Sequence, residues 1–141
     1  MAAGLALMDE AAARAKAHLQ ERPDDVPRLF TAATVALNHG TMQLTLQQPA
    51  EAIRIWEAAL PVCRSAAAAA PYGRRMLSLV LLRLADVHMR QQDLEPARRW
   101  FAAALTETNA TSAMVTDYPP LPDLFSNADL HDLLPPDHPD K

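Results

Sequence analysis

Apolar residues recur along most of this chain at helical spacing, three and four residues apart. A first helix is expected from about Gly4 to Glu21, ending before Pro23. Asp24 and Asp25 then offer N-caps, with Pro27 in the first turn, for a second helix to about Leu46. Pro49 opens a third helix carrying Ile53, Trp56, Ala59 and Leu60. Pro61 predicts a kink or break inside it, and the alanine run 66–70 carries it on to the turn signal Pro71-Tyr72-Gly73. The fourth helix, about Arg74 to Gln92, is apolar around most of its circumference and needs cover on more than one side. Asp93 caps a fifth helix, with Pro96 in its first turn, reaching about Thr108. The expected fold is all-α, with about five helices.

An internal repeat runs through these helices. Ala52, Trp56, Ala59 and Leu60 stand at relative positions that Ala97, Phe101, Ala104 and Leu105 reproduce, and Ala11, Ala15, His18 and Leu19 reproduce more faintly. A small residue lets two helices approach, and an aromatic one turn later fills the space beside it. Trp56 and Phe101 are therefore expected to be buried at matching places. Upstream of the second copy lies Leu81-x-x-Leu84-Ala85-x-x-His88, and Ala36, His39, Gly40 and Gln43 occupy the matching places before the first.

Taken together, Leu81 to Leu105 resembles a tetratricopeptide repeat: an apolar–Leu–small–bulky first helix, then a small–aromatic–small second helix. The resemblance extends less closely over residues 30–60 and only weakly over 5–25. It departs from the family at Leu81 and His88, where aromatics are usual, in having the family's terminal proline only after the faint copy, at Pro23, and in its period. The alanines are 41 and 45 residues apart, against about 34 in the family. Longer helices absorb an excess close to two or three turns. The resemblance implies an array of antiparallel helical hairpins over residues 1–116; the alternative is an unrelated antiparallel helix bundle.

Beyond residue 116 the composition changes. Six of the twelve prolines lie between Pro119 and Pro139, and residues 117–141 read as a Pro-rich acidic arm. Ser126-Asn127-Ala128-Asp129 looks like a capping box for one short helix through Leu134. The leucines and Phe125 of the arm suit a cap over the end of a short array, while Pro119-Pro120-Leu121-Pro122 alternatively suits a proline-recognition domain.

Charge narrows the function. Residues 1–116 carry 12 Arg/Lys and 11 Asp/Glu, a net +1, whereas the arm carries six Asp and one Lys, a net −5. This lacks the basic face of a nucleic-acid binder, and Arg74–Arg75 and Arg98–Arg99 read as solvated helix ends. No apolar run reaches the ~20 residues of a membrane span, so no membrane insertion is expected. Met1 to Met8 lacks the basic flank and long apolar core of a signal peptide. With one cysteine there is no internal disulfide, and a cytoplasmic, reducing compartment is expected.

No catalytic chemistry stands out, so an enzyme is not expected. Cys63 has no neighbouring histidine to take its proton and reads as a packed thiol. The five histidines lack metal-ligand spacing. His131 and His138, among Asp129, Asp132, Asp137 and Asp140, suit a solvated segment better than an ion site. The three glycines stand apart and form no phosphate loop. Catalytic residues, cofactor and metal are all expected to be absent.

What the resemblance implies instead is a concave groove lined by the first helix of each pair. Its groove positions fall on Thr34, Leu37, Asn38, Thr41 and Leu44 of the second helix, and on Leu79, Leu82, Arg83, Asp86, Met89 and Arg90 of the fourth. Leu37, Asn38, Thr41, Leu82, Arg83, Asp86, Met89 and Arg90 are the expected partner-binding residues. Asn38 and Arg83 match two positions of the family's carboxylate clamp, but Leu37, Thr41 and Leu79 replace the others and speak against one. The expected function is an adaptor or chaperone-like module that receives a peptide or helix of a protein partner, with homo-oligomerisation left open. The alternative is a permanent subunit of a larger assembly.

Overall fold

The structure, a computed structural model, describes residues 2–108. The arm, its capping box and its histidines lie outside the described residues. Five helices follow one another: α1 (Ala2–Glu21), α2 (Val26–Thr45), α3 (Pro49–Ala69), α4 (Pro71–Arg90) and α5 (Leu94–Thr108). Among the described residues there is no strand. Packing divides the chain into two compact units, the first ending at Leu77 and the second beginning at Ser78, inside α4.

Local chemistry sets the helix ends of the first unit. Asp25 caps α2 by accepting a hydrogen bond from the Arg28 amide at 3.1 Å, with Pro27 in the first turn. Arg28 turns back on α1, where Nη1 donates to the His18 carbonyl at 2.7 Å. It thereby satisfies one of the carbonyls a helix C-terminus leaves open. Helices α1 and α2 pack together, as do α2 and α3. Trp56 and Cys63 are wholly buried on α3, and Leu29 and Ala33 are buried on α2. The Trp56 indole also donates from Nε1 to the Leu37 carbonyl at 3.3 Å.

The break expected at Pro61 and the turn expected at Pro71-Tyr72-Gly73 are corrected. Helix α3 runs unbroken through Pro61. Pro61 and Glu57 are both exposed, so the proline that has no amide to give the Glu57 carbonyl lies on the outer face of α3. Nor is Pro71-Tyr72-Gly73 a loop. Ala70 alone, extended at φ −160° and ψ 154°, separates α3 from α4, and Pro71 is the first residue of α4. Proline is well placed at a helix start because its missing N–H would have no partner there. Gly73 is helical, and its lack of a side chain is what the packing requires. A Cβ there would overlap the Ala66 carbonyl and stand 2.7 Å from the Ala67 nitrogen.

The 45-residue spacing of the sequence pattern also relates two helix ends. Helix α2 ends with the Gln48 amide donating to the Gln43 carbonyl at 2.9 Å and the Gln47 amide to that of Leu44 at 3.0 Å. Helix α4 ends with Asp93 donating to His88 at 2.8 Å and Gln92 to Met89 at 2.9 Å. Both are Schellman turns, with Gln47 and Gln92 in the left-handed region at φ 59° and 61°. Five residues after each comes the buried alanine of the repeat, Ala52 or Ala97. Trp56, Ala59 and Leu60 are then buried in the first unit, and Phe101, Ala104 and Leu105 in the second. In the second unit α4 is buried almost all round, through Val80, Leu81, Leu84, Ala85 and Val87.

Candidate functional site: an alanine-lined cleft over α2

Three helices of the first unit each present a stripe of positions i, i+3, i+4 and i+7 to one cleft. From α1 come Ala12, Ala15, Lys16 and Leu19; from α2, Ala32, Val35, Ala36 and His39; from α3, Ile55, Ala58, Ala59 and Val62. Such spacing puts each set on a single helix face. Ala13 and Arg54 complete the lining, and the cleft holds about 310 Å³. Half of its fourteen lining residues are alanine, whose single methyls leave the space between three helices unfilled. Nothing on α1 is fully buried among its described side chains, so α1 forms a wall of the cleft rather than part of a closed core.

The polar groups of the lining are Lys16, His39 and Arg54, all basic types. His39 is buried on the floor, its Nε2 2.8 Å from Oδ1 of Asp9 on α1. Arg54 is paired along its own helix with Glu51, giving Nε to both carboxylate oxygens at 3.0 and 3.1 Å and Nη2 to one of them. This hydrogen bonding holds the Glu51 carboxyl below its ordinary range and raises the guanidinium of Arg54. Lys16 has no ion-pair partner among the described residues.

The residues expected to form a groove lie elsewhere. On α2, Leu37, Asn38 and Thr41 are about 200° round the helix from Val35, Ala36 and His39, so they face away from the cleft. Asn38 is exposed, while Leu37 and Thr41 are half-buried, with the Thr41 hydroxyl donating to the Leu37 carbonyl at 2.9 Å. The start of α4 meets this side of α2: Thr34 Oγ1 is 3.9 Å from Met76 Sδ, and Tyr72 packs edge-on to Phe30 with ring centres 5.6 Å apart.

On α4 the expectation is corrected more sharply. Leu82, Asp86 and Met89 are buried rather than presented on an open face. Arg83 is half-buried, with its Nε enclosed and without a hydrogen-bond partner. Arg90 is exposed and donates from Nε to Asp86 Oδ1 at 3.0 Å. An almost continuously apolar helix has no spare face to leave to solvent.

Burial pushes the Cys63 thiol up to about 11, against the smaller opposing influence of Arg64. It is a packed thiol, held far from the thiolate a nucleophile needs. Among the described residues no cluster of three or more His, Cys, Asp or Glu could hold a metal ion, and no helix is long and apolar enough to cross a membrane. Compared with known proteins, the chain matches no protein-family model, no curated protein and no solved structure.

Proposed function

We propose that this chain is a protein-interaction module of tetratricopeptide-like hairpins, an adaptor or chaperone-like protein that holds a peptide or helix of a partner without doing chemistry on it. The observation that carries the reading is the cleft over α2. Fourteen residues from three helices line it, eleven of them Ala, Val, Leu or Ile, and apolar concavities of this size are where proteins bury the anchors of their ligands. The binding surface proposed is thus the α1–α2–α3 cleft, in place of the face through Leu37, Asn38 and Thr41.

The test is to fill the cleft without unfolding it. Ala58 is exposed on its α3 wall, so Ala58→Phe adds a ring to the space with little burden on the core. Partners captured by the wild-type chain should be lost by Ala58→Phe, with unchanged helical circular dichroism, and kept by Asn38→Ala. The same capture by all three proteins would overturn the reading.

A further inference from the structure

We infer that the cleft takes an amphipathic α-helix whose narrow apolar stripe is flanked by carboxylates. This inference rests on the cleft's being a docking site. Its shape argues for a helix. Three parallel or antiparallel stripes, each two turns long, offer the grooves between which one further helix lays its ridge. Alanine on the floor, at Ala32 and Ala36, lets that helix approach closely. A stripe from i to i+7 spans about 10 Å, which matches two to three turns of the occupant.

Charge argues for the carboxylates. Lys16 on the α1 wall and Arg54 on the α3 wall border the cleft from opposite sides, and none of its lining residues is acidic. Of the carboxylates beside the cleft, Asp9 lies against His39, and Glu51 holds Nε and Nη2 of Arg54, which leaves Lys16 as the unpaired cation of the lining. Lys16 is free of ion pairs among the described residues. A helix carrying Glu beside its apolar stripe meets the unpaired charge of Lys16 on one side and an Arg54 already shared with Glu51 on the other, whereas one carrying Lys meets like charge at Lys16.

Three fluorescein-labelled synthetic helices decide it, sharing one Leu/Ala stripe and carrying Glu, Gln or Lys at the flanking positions. Fluorescence anisotropy with the full chain should rank Glu above Gln above Lys. Each step should be about threefold or more, shrinking as salt rises. Lys16→Glu combined with Arg54→Glu should reverse the order, and Lys16→Glu alone should narrow it should the double variant lose helicity. Equal binding of the Glu and Gln helices, with Ala58→Phe abolishing both, would overturn the charge inference and leave the docking reading intact. No binding of any helix, or binding that Ala58→Phe leaves unchanged, would overturn both.

Discussion

Gly40 of α2 lies directly beneath the indole of Trp56 on α3. A Cβ placed on Gly40 would stand 2.7 Å from Trp56 Cδ1 and would overlap Nε1 and Cε2. The indole has no room to retreat, being wholly buried and hydrogen-bonded to the Leu37 carbonyl. Forty-five residues on, the same positions hold Ala85 and Phe101, again both buried. A larger residue on the first helix goes with a smaller ring on the second.

Gly40→Ala therefore sets helix propensity against packing. Alanine favours a helix over glycine by about 1 kcal/mol, but overpacking a core typically costs 1–3 kcal/mol and sometimes more. With a rigid ring in the way, packing wins. Urea denaturation should show a net loss of roughly 1–3 kcal/mol. In a Trp56→Phe background the same change should cost at least about 0.5 kcal/mol less, because the residues are in contact. A stability gain in the wild-type background would show that the indole does not lie over Gly40.

Gln47 and Gln92 make the second prediction. Each is exposed and sits at positive φ, where an L-residue is strained by about 1–2 kcal/mol and glycine is not. The greater freedom of glycine in the unfolded chain offsets part of that relief. Gln47→Gly and Gln92→Gly should each raise stability by about 0.5–1 kcal/mol. Arg99→Gly, exposed within α5, should lower it by about 1 kcal/mol. Loss of stability in both glutamine variants would remove the left-handed turn.

Caps and repeat spacing were legible before the fold was. Asp25, Pro49 and Asp93 mark where α2, α3 and α5 begin, and the Ala–aromatic–Ala–Leu pattern picks out residues that are all buried. The proline and glycine signals misled because each has two physical causes. Gly73 suggested a turn, yet its role is to clear the Ala66 backbone. Pro61 suggested a break, yet on the exposed face of α3 the helix runs on through it. The cleft escaped for a related reason. Its signal is three stripes at i, i+3, i+4 and i+7, but an alanine that closes a helix contact and one that leaves a gap look alike in sequence. Leu82 of α4 is buried for the reason its sequence already carries, since a helix apolar over most of its circumference leaves few residues free for a groove.

Cys63 gives a prediction about alkaline pH. Burial holds its thiol at about 11 in the folded chain, well above the ordinary range of a free thiol. Between the two the unfolded chain releases a proton that the folded chain retains, so stability falls as pH rises. By pH 11 the loss specific to Cys63 should be roughly 2–3 kcal/mol. Denaturant titrations of the wild type and Cys63→Ala should diverge in that direction from about pH 9, with the other titrating groups common to both. Thiol reagents at pH 8 should label the folded protein far more slowly than the urea-unfolded one. Rapid native labelling would place the sulfur at the surface.

Asp86 gives a prediction about acidic pH. Burial is the largest influence on its carboxyl and raises it, while Arg90, bonded to it at 3.0 Å, acts in the opposite direction. A carboxyl raised on folding is protonated more readily in the folded chain than in the unfolded one. Its contribution to stability is therefore complete below the ordinary carboxylate range and is lost as pH rises through the folded value. Asp86→Asn cannot ionise and escapes that loss. The melting temperature of Asp86→Asn relative to wild type should accordingly climb between pH 3 and pH 7. Arg90→Gln removes the opposing cation, so it should push the carboxyl higher and make the wild-type loss steeper over the same interval. Both slopes test one balance, burial against ion pairing. If wild type instead gains on Asp86→Asn as pH rises, the Arg90 pair outweighs burial and Asp86 is held charged by its neighbour.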